Sequence, residues 1–197
     1  ASYNTAVGES ALEVNTTGAF NTACGGRSLD ANTTASNNTA VGYAAMSQNT
    51  TGADCTAVGL NALYANTTGN FNTASGSYSL YANTTGSDNT AIGYYALKAN
   101  TTAPSNVAVG YAALYSTTTG GYNTAVGKNA LASNTTGLDC TAVGYNALNV
   151  HTTGNNNVAM GNNTLDACTT GVCNTGLGRK ALTDLTTGED CTAVGYE

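Results

Sequence analysis

Tryptophan is absent from this chain, phenylalanine occurs twice and proline once, and charged residues make up only 8% of its 197 residues. A large aromatic core is therefore excluded. Five cations, Arg27, Lys98, Lys128, Arg179 and Lys180, stand against a net charge of −6. They leave no basic stripe that could neutralise a phosphate backbone, which argues against nucleic acid as a partner. No apolar run approaches the roughly 20 residues a membrane-spanning helix needs. One histidine, no paired carboxylates at a recurring position, no nucleophile elbow and no phosphate loop leave no catalytic constellation. The expectation is a protein that is not an enzyme and takes no metal or other cofactor.

What the chain does have is Gly, Ala, Asn and Thr at fixed intervals. The pentad Asn4-Thr5-Ala6-Val7-Gly8 returns at Asn21, Asn38, Cys55, Asn72, Asn89, Asn106, Asn123, Cys140, Asn157, Asn174 and Cys191, always 17 residues on. With that Asn as position one, the consensus is N-T-A-V-G-x-x-A-L-x-x-N-T-T-G-x-x. Eleven full repeats and a stub account for residues 1–197 without an insertion. A 17-residue unit is too short for a pair of helices, and its T-A-V and T-T runs between glycines read as strands and turns. Stacked at about 4.8 Å, such units make parallel sheets in which each repeat position becomes a ladder of like residues. The fold expected is all-β: a single β-solenoid, or parallel β-helix, on the order of 55 Å long.

Within the coil, Gly at positions five and fifteen fits corners where a side chain would resist the backbone conformation. Asn at one and twelve would form amide ladders, and Leu at nine belongs to the core. Cys replaces Asn at position one in Cys55, Cys140 and Cys191, each after an Asp, and cysteine is among the most buried residue types. Strand alternation then turns Ala at three inward and Thr at two and Val at four outward. The scatter of Val, Ile, Leu, Met, Cys and Ser at position four argues for the opposite register; the first is preferred.

Most other features have a plain structural reading. Cys55 and Cys140 lie five coils apart, roughly 24 Å along the axis, beyond bridging distance, and are expected as free buried thiols. Cys173 and Cys191 would be diagonal neighbours and could bridge; with Cys168 they could also form a metal set, but the lone His151 sits a full coil away, which argues against it. Asp54, Asp88, Asp139 and Asp190 at position seventeen are too sparse for stacked calcium sites and suit turns. The glycosylation sequons at Asn15, Asn32, Asn49, Asn66, Asn83, Asn100 and Asn134 read as a structural Asn column, because glycans one coil apart would collide. Tyrosines at positions six, seven and ten form no continuous row and read as cover over the turns.

Threonine remains. Position two supplies Thr5, Thr22, Thr39, Thr56, Thr73, Thr90, Thr124, Thr141, Thr175 and Thr192, interrupted by Val107 and Val158. Positions thirteen and fourteen supply two unbroken columns, the first of them Thr16, Thr33, Thr50, Thr67, Thr84, Thr101, Thr118, Thr135 and Thr152 onward. Pentads such as Asn38-Thr39-Ala40-Val41-Gly42 and Asn89-Thr90-Ala91-Ile92-Gly93 resemble the head repeats of trimeric autotransporter adhesins and repeats of bacterial and phage tail fibres, which implies a homotrimeric fibre that binds surfaces. The adhesin repeat is shorter, and its second position is usually aliphatic where this chain has Thr. The ranks Thr39-Ala40-Val41, Thr56-Ala57-Val58, Thr124-Ala125-Val126 and Thr141-Ala142-Val143 are similar to those of β-solenoid antifreeze proteins. That second resemblance implies a monomer that adsorbs to an ice surface through ordered water. Its site would be the position-two threonines with Val41, Val58, Val126 and Val143, and the position-thirteen column is the alternative face. Coils about 4.8 Å apart, and a Thr-to-Val span of roughly 6.7 Å, lie near repeats of the ice lattice. Residue 1 already lies in the repeat register and no charged-then-apolar leader opens the sequence, so location is read only indirectly, and the expectation is secreted or cell-surface.

Overall fold

A computed structural model describes residues 2–196. Twelve three-residue strands, one per coil, run in chain order: β1 (Thr5–Val7), β2 (Thr22–Cys24), β3 (Thr39–Val41), β4 (Thr56–Val58), β5 (Thr73–Ser75), β6 (Thr90–Ile92), β7 (Val107–Val109), β8 (Thr124–Val126), β9 (Thr141–Val143), β10 (Val158–Met160), β11 (Thr175–Leu177) and β12 (Thr192–Val194). All join in one parallel sheet in sequential order. Every described pair is in register, residue i opposite i+17. The chain is thus a parallel β-solenoid of 17-residue coils, and among the described residues no helix is long and apolar enough to cross a membrane.

The strands carry the preferred register. Ala23, Ala40, Ala57, Ala74, Ala91 and their position-three successors as far as Ala159 are fully buried, while positions two and four are half-buried or exposed. Leu29, Met46 and the following position-nine residues complete a narrow core with Ala at position eight. The scatter at position four is therefore the freedom of an exposed column. It is not alternative core packing.

The turns depart from expectation. Gly at position five has φ between 118° and 140° throughout, and a Cβ on Gly42 would lie 2.5 Å from the carbonyl oxygen of Gly59. Both conformation and close approach exclude a side chain there. Position fifteen is different: its glycines do not have positive φ, and what excludes bulk is the next coil's carbonyl, 2.5 Å from a Cβ on Gly52. Ala35 and Ala103 occupy the same position, so there the neighbour can yield. The left-handed turns sit instead at non-glycine positions seven, nine and seventeen, with φ of 49–63°. Asn and Asp tolerate this region best, which accounts for Asn37, Asp54, Asp88, Asp139, Asn156 and Asp190. Leu at nine pays a conformational cost of about 1 kcal/mol, offset by its burial and by a bond to the adjoining coil, as in Leu63 N–H to Ser79 O at 2.9 Å.

Two amide columns fill the rest of the interior. At position one the side-chain amide donates across the coil, Asn38 Nδ2 to Gly52 O at 2.9 Å, and its oxygen accepts from the next coil's backbone N–H. At position twelve, Asn32, Asn49, Asn66, Asn83 and Asn100 each donate to the preceding Asn Oδ1 over 2.8–3.1 Å. These five sequon asparagines are fully buried, as is Asn134, so the column is structural.

Candidate functional site

Thr, Ile and Val suit strands because branched side chains pack well on a pleated surface. Here that preference places two ranks outside one sheet. Position two presents Thr5, Thr22, Thr39, Thr56, Thr73, Thr90, Thr124, Thr141, Thr175 and Thr192, and position four presents Val41, Val58, Val126 and Val143 with their column mates. Valine takes the place of Thr at β7 and β10, in unbroken register. Among the described residues, no position-two threonine makes a side-chain hydrogen bond to the rest of the chain; Thr5, Thr22, Thr56 and Thr192 are exposed and the other six are half-buried.

Position thirteen behaves differently. Thr33, Thr50, Thr67, Thr84, Thr101, Thr118, Thr135 and Thr152 are half-buried, and each hydroxyl donates to the backbone carbonyl of the equivalent Thr one coil on, at 3.0–3.2 Å; Thr16 bonds likewise to Thr33 at 2.9 Å. A hydroxyl committed to the rod cannot offer its proton to an external lattice. The column that faces outward on that corner is position fourteen, exposed from Thr17 through Thr187.

The thiols fall into inner and outer sets. Cys55 and Cys140 are free and buried, and they stand in for the position-one amide: the Cys55 thiol donates to Gly69 O at 3.4 Å and accepts from Asn72 N–H at 3.4 Å. Burial pushes the Cys55 thiol up to about 11 and raises Cys140 and Cys168 as well. The possible Cys173–Cys191 bridge does not form. Cys173 at position seventeen points out and is exposed, whereas position one points in.

His151, read as remote from the cysteines, lies between two of them. Its Nδ1 is 3.9 Å from Cys168 Sγ and its Nε2 is 3.9 Å from Cys140 Sγ. Nε2 also lies 2.7 Å from Gly154 O, the bond an Asn makes at position twelve, so Nε2 carries the proton. The imidazole replaces an amide, and burial lowers its pKa. With a sulfur on each side of the ring, the trio does not converge, and among the described residues no group of three such ligands could hold a metal.

The tyrosines require a correction. Read as columns they are interrupted, but diagonally across the coils they are continuous. Tyr64, Tyr78, Tyr81, Tyr94, Tyr95, Tyr111 and Tyr115 are linked by ring centroids 3.9–6.3 Å apart. Lys98 Nζ sits 4.6 Å above Tyr95 and 5.3 Å from the Tyr115 centroid. The signal was in the sequence, at positions six, seven and ten of neighbouring coils. Seeing it needs the repeat laid out in two dimensions.

No family model, no curated protein and no solved structure matches the chain.

Proposed function

We propose that this chain is an ice-binding protein whose working surface is the outward face of the twelve-strand sheet. The observation that carries this reading is the contrast between threonine columns: position-thirteen hydroxyls are consumed inside the rod, while position-two hydroxyls are unengaged and repeat in register beside an aliphatic rank. Each Thr supplies a hydroxyl to anchor a water and a methyl that discourages bulk-like hydration. On a backbone locked coil to coil, the waters so ordered are spaced by the sheet and can merge with a growing ice front. The partner is then water itself, met outside the cell, and neither catalysis nor a cofactor is needed.

Thermal hysteresis and ice-crystal shaping at millimolar concentration test this directly. Thr90→Tyr raises one bump at the centre of the array and should abolish most of the hysteresis with nearly unchanged melting, since Tyr suits a strand. Thr102→Tyr on the position-fourteen corner should leave hysteresis intact. The reverse result would move the ice face to that corner, and absence of hysteresis in the unmodified protein would end the reading.

A second reading has one observation in its favour. Position four exposes an aliphatic strip, with Val7 at 59%, Ile92 at 43% and Met160 at 45%, and such a strip would serve as the seam of a trimeric adhesin or tail-fibre segment. Sedimentation separates the two: a 19.6 kDa monomer fits ice binding, and a trimer fits the fibre.

A further inference from the structure

We propose that the groove beside the tyrosine cluster binds an acidic oligosaccharide. The site lies on the turns between positions five and eleven, away from the sheet ranks, and owes nothing to the ice reading. It arises where large side chains give way to small ones. Position seven changes from Tyr95 to Ala112 in the next coil, and position ten from Tyr115 to Ala132. The step leaves an open groove of about 380 Å³ walled by Tyr95, Tyr111 and Tyr115 and bordered by Asn129, Ser133 and Asn149. That volume falls in the range of small-ligand sites.

The composition of the walls selects the ligand. Aromatic faces offer a flat apolar platform with a polar edge, which matches the C–H face of a pyranose, and amides and hydroxyls beside them can donate to and accept from its ring hydroxyls. A peptide adding as a strand has nothing to pair with. Ala112 N–H bonds Tyr94 O at 3.0 Å, Asn129 N–H bonds Tyr111 O at 3.0 Å and Ser116 N–H bonds Ala132 O at 3.0 Å, so the backbone here is satisfied from coil to coil.

Charge makes the choice narrower. The chain has eleven Asp and Glu, yet positions six, seven, ten and eleven of the coils spanning residues 55–156 hold none of them. The same positions hold Lys98 and Lys128. Lys98 Nζ donates to Tyr115 Oη at 3.3 Å, and Lys128 Nζ lies 5.7 Å from the Tyr111 centroid and 6.0 Å from that of Tyr145. A locally positive aromatic strip on an otherwise acidic rod favours a sugar bearing carboxylates. A polynucleotide would meet only these cations and the repulsion of the rest.

The test uses the whole chain, whose intrinsic fluorescence comes from tyrosine because it has no tryptophan. Short oligogalacturonates should quench it saturably with a Kd at or below about 1 mM, more weakly at high salt, while neutral cello-oligosaccharides of the same length should bind at least about tenfold less well. Tyr115→Ala should weaken oligogalacturonate binding by about tenfold or more, and Lys128→Gln should cancel the preference for acid over neutral sugar. Tyr122→Ala, on the exposed position-seventeen corner, should change neither. Lys128 is exposed, so its variant stays informative even where a tyrosine variant unfolds. Equal binding of neutral and acidic sugars overturns the acidic assignment. No saturable binding, or wild-type binding by a folded Tyr115→Ala, overturns the site.

Discussion

The coils up to Asn100 and those after it share one backbone but not one interior. From Asn15 to Asn100 the position-twelve amides run head to tail, each also donating to its own coil's position-fifteen carbonyl, as Asn66 Nδ2 does to Gly69 O at 2.9 Å. After Asn100 the column reads Thr117, Asn134, His151, Cys168 and Leu185. The break leaves Asn100 Oδ1 and Thr117 Oγ1 buried without a partner, and Asn134 turns both ends of its amide onto Gly137 of its own coil. Backbone pairing continues regardless, Thr118 N–H to Thr135 O at 3.0 Å and Thr135 N–H to Thr152 O at 2.8 Å. The amide ladder is therefore an addition to a coil that the backbone already closes, and its worth should differ between the two stretches.

The largest effect is expected inside the continuous ladder. Asn66→Ala removes the bonds to Asn49 and Gly69 and strands the Asn83 amide that donates to Asn66 Oδ1, so it should cost about 3 kcal/mol in denaturant unfolding. Asn134→Ala breaks bonds within one coil only and should cost visibly less; equal losses would mean the ladder carries no special stability.

Next come the residues that replace an amide with a titratable group. Because burial lowers the His151 pKa in the folded state, the unfolded chain takes up the proton first. Its contribution to stability is complete above about pH 6.5 and is lost as pH falls through the folded value. His151→Asn should remove that share of the acid sensitivity, read as a flatter melting temperature against pH. Cys55 has the opposite sign: its pKa rises from 9.0 to about 11 in the folded state, so stability is full below pH 9 and declines toward 11. Cys55→Asn should flatten that alkaline limb.

A gain of about 1 kcal/mol is expected from Thr117→Asn, which offers Asn100 Oδ1 the donor it lacks and carries the ladder on by one coil. A loss of stability would show that the coil around residue 117 has no room for the amide. The smallest effects distinguish the paired threonine columns. Thr67→Ala gives up the bond to Thr84 O at 3.0 Å and should cost about 1 kcal/mol, whereas the exposed neighbour Thr68→Ala should stay within about 0.5 kcal/mol of wild type.

Periodicity alone was enough to read the solenoid, its sheet register, the buried Leu at nine and the structural role of the sequon asparagines, because each of these repeats at a fixed offset and follows from stacking. The position-four scatter could mislead, since exposure and loose packing produce the same variety of aliphatic residues. The His151 neighbours divide: Cys168 stands one coil on at the same position twelve and is paired with His151 by periodicity alone, whereas Cys140 lies across the same coil at position one, and most tyrosine contacts run between positions six, seven and ten, where no fixed offset of 17 links them. Their distances depend on how the turn between Gly at five and Asn at twelve folds back over the core.

Identical units repeating along one axis require that the 17-residue coils stack and that like residues form columns, while the inward turn of Ala and outward turn of Thr was a preference between two registers, carried by Cys standing in for Asn at position one. Which threonine column keeps its hydroxyls free is settled in the folded turns. Whether a side chain at positions thirteen or fourteen meets the next coil's carbonyl or the solvent is set by backbone dihedrals in a turn, and those are fixed by hydrogen bonds between coils that no single repeat contains.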